Sequence, residues 1–233
     1  MIVTDRFVFL HLHKSGGTFV NRFLQSFFPD ARQIGYHLPR TCLPASCAAL
    51  PLLGSVRNPW DYYVSWYAFQ SAMQHPNPVF RVISAGGRLG FTASVRNLLT
   101  LGEQATLLDA ICDELPDTYS NRGINLTRNC LQPLAGSRIG FYSFLYRHIY
   151  GAANDVSMLD MHALRDGLPV LLEQIGVPAT AAMRHYLSRA PALNSSEHGH
   201  YADYYDATLR ALVAERDAEV IARHGYAFET SGS

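Results

Sequence analysis

Residues 11 to 19 read His-Leu-His-Lys-Ser-Gly-Gly-Thr-Phe, and Lys14 is the one lysine in 233 residues; every other basic residue is arginine. Lysine carries a compact charge on a flexible stem and arginine a wide planar fork, so a lone lysine marks either a place where the fork does not serve or a chance codon at the surface. Its neighbours favour the first. Gly16 and Gly17 permit positive φ and close backbone approach, the Ser15 and Thr18 hydroxyls add donors, and Lys14 adds a mobile charge. Placed between a strand and a helix, such a turn converges backbone N–H groups at the positive end of the helix dipole and forms an anion site. The plainer alternative is a tight turn that caps a helix.

Two further segments could act with it. In Ser-Val-Arg-Asn-Pro-Trp-Asp (residues 55–61), Arg57 ends a strand, and Ser65 follows eight residues later, about two helical turns on. Together they could hold a second phosphate; alternatively Arg57 pairs with Asp61 and Ser65 is an interior serine. In Gly35-Tyr-His-Leu-Pro39, His37 could serve as a general base, since an imidazole near pKa 6.5 exchanges protons at neutral pH. A structural histidine in a turn is the alternative. His11 and His13 point to one side of the first strand and with His37 would supply three nitrogen ligands. No fourth ligand at metal spacing is evident, so no metal site is expected.

The elements that must position these residues are legible from periodicity. Phe7 to His13 has the composition of a buried strand, and Val20, Phe23, Leu24, Phe27 and Phe28 follow at helical spacing until Pro29. A second strand, Leu52 to Asn58, runs into a helix begun by Asn58 and Pro59, with Trp60, Tyr63, Val64 and Tyr67 as packing residues. Two strand–turn–helix units imply an α/β chain with a central parallel sheet and helical crossovers. Residues 138–144 and 156–161 are the next expected strands; a helix through Leu164, Leu168, Leu171 and Leu172 follows the latter. A last helix is expected over 201–223, with Leu209, Leu212, Val213 and Val220 facing inward. Residues 74–136 hold a Gly86-Gly87 turn and short helical patterns around 93–114, read as an insertion within a single domain spanning 1–233.

Composition narrows the classes. A chain 48% hydrophobic and 16% charged is globular, and a formal net charge of zero argues against a general nucleic-acid partner. The opening residues form neither a signal peptide nor a membrane span, so a cytoplasmic protein with reduced thiols at Cys42, Cys47, Cys112 and Cys130 is expected. Sequons at Asn125 and Asn194 are discounted as chance matches.

The order of these segments resembles the sulfotransferases that use 3′-phosphoadenosine 5′-phosphosulfate. The nucleoside-triphosphate loop G-x-x-x-x-G-K-[ST] fits less well, because here lysine precedes the glycines. Lys14-Ser-Gly-Gly-Thr-Phe19 is similar to the family's KSGTTW-like phosphosulfate loop. Arg57-Asn-Pro with Ser65 is similar to its 3′-phosphate motif, and Gly35-Tyr-His-Leu-Pro39 to the segment carrying its catalytic base. The resemblance covers residues 6–70. It implies a P-loop-like three-layer fold and 3′-phosphoadenosine 5′-phosphosulfate as donor, without metal. It also implies Lys14 and His37 as catalytic groups, with donor contacts from Lys14, Ser15, Gly16, Gly17, Thr18, Phe19 (stacked on adenine, the alternative being a core contact from the first helix turn), Arg57 and Ser65. The acceptor is a hydroxyl on a small molecule, glycan, lipid or peptide, for which the insertion at 74–136 would shape a pocket. The RKG-x-x-GDWKN-like loop of cytosolic members is missing; Ser195, Ser196 or His198 could approach the nucleotide instead, the alternative being a solvated loop before the last helix. The alternative is a nucleotide kinase or hydrolase, for which Asp160 would hold a metal.

Overall fold

The computed structural model describes residues 1–120, 123–191 and 198–230. In chain order its elements are β1 (Ile2–Val3), β2 (Val8–Phe9), α1 (Gly17–Phe27), β3 (Arg32–Gln33), β4 (Leu52–Val56) and α2 (Pro59–Ser71). Then come α3 (Pro78–Ile83), α4 (Phe91–Leu99), α5 (Ala105–Glu114), α6 (Arg128–Leu131) and α7 (Phe141–Tyr150). The chain ends with β5 (Val156–Asp160), α8 (Leu164–Gln174), α9 (Ala181–Arg189), α10 (Ala207–Arg216) and α11 (Ala218–His224). These fall into two compact units. One comprises Met1–Arg57, Ser120–Asn125 and His148–Ser195; the other comprises Asn58–Tyr119, Leu126–Arg147 and Ser196–Ser233.

The first unit is α/β, with a five-stranded sheet in the order β3-β1-β2-β4-β5. β2, β4 and β5 are mutually parallel, whereas β1 runs antiparallel to both β2 and β3. The sheet is therefore mixed, where a parallel one was expected. The cause is a hairpin too short to leave a periodic signal: Thr4 N donates to Phe7 O at 3.0 Å, and the Thr4 hydroxyl both donates to Phe7 O at 2.8 Å and accepts from Phe7 N at 3.0 Å. This folds Met1–Val3 back along β2. β4 and β5 pair over five residues, from Leu52↔Val156 to Val56↔Asp160.

One face of the sheet, with Phe9, Leu53 and Leu159, is covered by apolar stripes from three helices: Val20, Phe23 and Leu24 of α1, Leu168, Leu171 and Leu172 of α8, and Met183 and Leu187 of α9. Burying a side chain of this size stabilises by roughly 1.5–3 kcal/mol, so these stripes fix where α1 begins relative to β2. The expected α8 pattern is present. Helix α9 carried little apolar signal; the Thr180 hydroxyl starts it by accepting from Met183 N at 3.2 Å.

Two other expectations change. Residues 138–144 do not form a strand, because α7 occupies Phe141–Tyr150. Phe141, Tyr142, Leu145, Tyr146, Ile149 and Tyr150 recur with a helical period and are all buried, a pattern that a seven-residue window does not reach. The last helix is two helices, with Asp217 at the break. The 74–136 region is helical, containing α3 to α6. In the second unit Asn58 caps α2 by accepting from Trp60 N at 3.1 Å, and every residue of α2 from Pro59 to Trp66 is buried. Trp60 Nε1 donates to Arg210 O at 3.1 Å, so the aromatic cluster read as packing is packing. Among the described residues no helix is long and apolar enough to cross a membrane. The four cysteines are free thiols.

Asp217 is the acidic keystone of the second unit. Its carboxylate is fully buried, accepting from Tyr63 OH at 2.7 Å and from Ser143 N at 2.8 Å. Burial pushes its pKa up from 3.8 to about 6, against those hydrogen bonds, which lower it. A carboxyl raised on folding holds its proton more tightly in the folded state. Its contribution to stability is therefore full below about pH 4 and is lost as pH rises through about 6. Relative to Asp217→Asn, the unfolding free energy of the wild type should fall by about 3 kcal/mol between pH 3 and pH 7. Denaturant titrations followed by fluorescence check this, since both tryptophans, Trp60 and Trp66, lie in this unit; parallel pH profiles would contradict it.

Candidate functional site

The expected strand from Phe7 to His13 stops pairing early, and the site begins there. Leu10 N donates to Leu53 O of β4 at 2.8 Å, as a parallel ladder requires. Beyond it the phenol of Tyr150 stands between the two strands. Its oxygen accepts from Leu12 N and from Ser55 N, both at 3.2 Å, and its proton goes to Ser55 O at 2.6 Å. Ser15 closes the turn by donating to Leu12 O at 2.7 Å, which leaves its oxygen to accept from Ser55 Oγ at 3.0 Å.

Between these fixed points the chain must reverse within a few residues. Lys14 adopts φ +56 and Gly16 φ +80, both left-handed. For lysine this conformation costs roughly 1–2 kcal/mol. The glycines have steric reasons of their own. A Cβ on Gly16 would lie 2.2 Å from Leu164 Cδ1, and one on Gly17 would lie 2.5 Å from the His11 ring. They let the turn close against its own protein walls, a role beyond the approach to a ligand read from sequence. Gly16 O accepts from Phe19 N at 3.0 Å and Val20 N at 3.3 Å, so Gly17 and Thr18 form the first turn of α1.

Two cations meet at this turn. Arg57, only 7% exposed at the end of β4, donates from Nη1 to Lys14 O at 3.1 Å. Burial, and then the charge of Arg57, push the Lys14 ammonium down from 10.5 to about 8. With the positive end of α1 added, the turn favours anions.

The histidines expected from sequence come together beside it. His37 stacks on His13 with ring centroids 3.8 Å apart and meets His11 edge-on at 4.3 Å. Carbonyl oxygens only accept, so the protons are assigned by their partners: His13 Nε2–H donates to Ile124 O at 2.7 Å, and His37 Nδ1–H to His11 O at 3.2 Å. This leaves Nε2 as the basic nitrogen of His37. Burial, then the neighbouring His11, hold His37 well below its ordinary value; burial, then His37, do the same to His13. His11 is pushed down to about 3, by burial first. All three rings are neutral at physiological pH. His37, like Lys14, has a left-handed backbone, φ +48. Non-glycine residues held there often mark functional sites, and no one-dimensional pattern reveals them.

Several expected contacts are placed elsewhere. The Ser15 hydroxyl is fully buried and its proton is committed to Leu12 O, so it is a brace for the turn and not a phosphate donor. Phe19 is a core residue, 6% exposed, with the Arg165 guanidinium 5.1 Å above its ring; α1 turns it inward, away from the role of adenine platform. Ser65 lies in α2, 1% exposed, in the second unit. Asp160 Oδ1 accepts from His162 N at 2.7 Å, beginning the turn before α8. Ser195 and Ser196 lie outside the described residues; His198 is half-buried in the second unit and bonds to Gly199 O at 2.8 Å. Among the described residues no group of three or more His, Cys, Asp or Glu side chains is arranged to hold a metal ion. Tyr150, Ser55, Ile124 and Asn125 were not anticipated, because their parts are played through backbone groups far away in sequence.

Comparison with family models, with curated proteins and with solved structures returned no match.

The lone lysine makes the electrostatics directly measurable. After reductive ¹³C-methylation, the Lys14 amine should titrate near 8 in the wild type. It should titrate higher in Arg57→Gln, though short of 10.5, because burial is the larger cause of its depression. An ordinary lysine value in the wild type would contradict the described turn.

Proposed function

We propose that this chain is a sulfotransferase that moves a sulfuryl group from 3′-phosphoadenosine 5′-phosphosulfate to a hydroxyl of a small molecule, glycan, lipid or peptide. The observation that carries the reading is the meeting of Lys14 and Arg57 at the glycine turn that opens α1, with His37 in the same unit as a neutral base. The donor supplies an activated S–O bond to a phosphate leaving group. As that bond breaks, negative charge grows on the phosphate oxygen, and positioned charge lowers the barrier more than covalent chemistry does.

Lys14 neutralises the growing charge; an ammonium on a flexible stem follows the oxygen as it moves, where a guanidinium would be held in one plane. The amides of Gly17 and Thr18 hold the phosphosulfate end. His37 Nε2 takes the proton of the acceptor hydroxyl while its Nδ1–H stays on His11 O. The products are a sulfate ester and adenosine 3′,5′-bisphosphate. Arg57 is assigned to the 3′-phosphate. The fit is good at the phosphate end of the donor and lacks an adenine platform at Phe19.

Calorimetry with adenosine 3′,5′-bisphosphate and adenosine 5′-monophosphate tests the assignment. Charge-assisted hydrogen bonds contribute roughly 1.5–3 kcal/mol each, so the wild type should prefer the bisphosphate by more than about tenfold. Arg57→Ala should lose most of that preference and keep its affinity for the monophosphate, which also reports that the turn is intact. Equal affinity of the wild type for the two nucleotides would overturn the reading, and tighter binding of ATP with Mg²⁺ would favour a kinase.

A further inference from the structure

His37 is held from a distant part of the chain. Asn125, 5% exposed, lies in a left-handed conformation, φ +54, that asparagine tolerates better than most residues. Both ends of its amide are used: Oδ1 accepts from Ser120 N at 2.8 Å, and Nδ2 donates to Tyr36 O at 2.8 Å. Tyr36 O belongs to the peptide that leads into His37, the residue with the unfavourable positive φ. The preceding residue acts on the same group from another side, since Ile124 O accepts His13 Nε2–H at 2.7 Å and so fixes the ring on which His37 stacks. One short segment thus holds both the backbone entering His37 and the ring beneath it. The same asparagine opens the Asn125-Leu-Thr127 sequon, and in the folded chain it is buried with both ends of its amide hydrogen-bonded.

We propose that Asn125 is the positioning residue of His37: by holding the Tyr36 carbonyl it keeps the imidazole in one tautomer, Nδ1–H on His11 O and Nε2 bare toward the acceptor. The functional part of this inference rests on His37 being the base of the proposed transfer, whereas the geometry stands apart from it. His37 accepts no direct hydrogen bond from Asn125. The effect passes through the peptide carbonyl and the turn it anchors, so Asn125 is not itself a catalytic group. Among the described residues, the titratable groups that bear on the His37 ring are His11, His13, the Met1 amino group and the Tyr36 phenol ring, 6.0 Å away centroid to centroid.

The test is a long-range ¹H–¹⁵N spectrum of the histidine rings in the full chain, with His37 assigned by loss of its signals in His37→Gln. It is recorded for the wild type, Asn125→Gly and Asn125→Asp. Glycine tolerates the positive φ and removes the amide. Aspartate keeps the acceptor for Ser120 N and loses the donor to Tyr36 O. The wild type should show a single His37 tautomer with the proton on Nδ1. Both variants should show mixed tautomers and a titration midpoint moved up toward the ordinary value of about 6.5, with the Kd for adenosine 3′,5′-bisphosphate within about threefold of wild type. A purely structural asparagine would lower the melting temperature and leave the tautomer unchanged. An unchanged tautomer and titration in a folded variant overturns the proposal, as does failure of both variants to fold, which would make Asn125 a residue of the fold alone. A wild type that shows the single tautomer yet binds no bisphosphate would sink the sulfotransferase reading and leave the positioning of His37 intact.

Discussion

The hydroxyl of Tyr150 sits where β2 and β4 part company, and the geometry of the site follows from it. Buried amides must find acceptors, and an orphaned one costs about 1–3 kcal/mol. Leu12 N and Ser55 N both find the same phenol oxygen, so the strands separate without leaving either amide unpaired. Separation gives Ser15 room to bond back to Leu12 O and across to Ser55, and the chain must then reverse through Lys14 and Gly16 with positive φ. Had the ladder continued to His13, the chain would have entered α1 without the bend that brings Lys14 O to Arg57.

Charge at the turn is shaped by what is kept neutral as much as by what is charged. Burial keeps His11, His13 and His37 unprotonated, so three imidazoles pack within ring-contact distance without mutual repulsion. Lys14 and Arg57 remain neighbours, and burial first, then their mutual repulsion, depress the lysine. An anion at the head of α1 offsets that repulsion. By linkage it would raise the Lys14 pKa, and it would bind more tightly as pH falls toward about 8, levelling off below that. At pH 7 the three imidazoles are thus neutral while Lys14, near 8, is mostly protonated.

Local chemistry made part of this legible in the sequence. The Asn58-Pro59 cap, the α1 and α8 stripes and strand β5 each carry a pattern contained in one short window, and each lies where that pattern puts it. The β1 hairpin, the helical nature of Phe141–Tyr150 and the break at Asp217 depend on longer windows or on tertiary partners. At the site, residue types marked Lys14, Arg57 and His37, and the structure brings them into one unit. The inward turn of Ser15 was hidden and that of Phe19 was one of two readings, because nothing in the motif says which way a side chain faces once Ser55 and the α1 core compete for it. Asn125 carried a glycosylation motif that drew attention away from its hydrogen bonds.

The anion site at the head of α1 is tested most directly by the ¹H–¹⁵N correlation spectrum of the full chain as adenosine 3′,5′-bisphosphate is added. Saturable shifts should be largest at the backbone amides of Gly16, Gly17 and Thr18 and at the Arg57 guanidinium. Saturable binding that leaves those signals in place while moving others, or no binding at all, would contradict it.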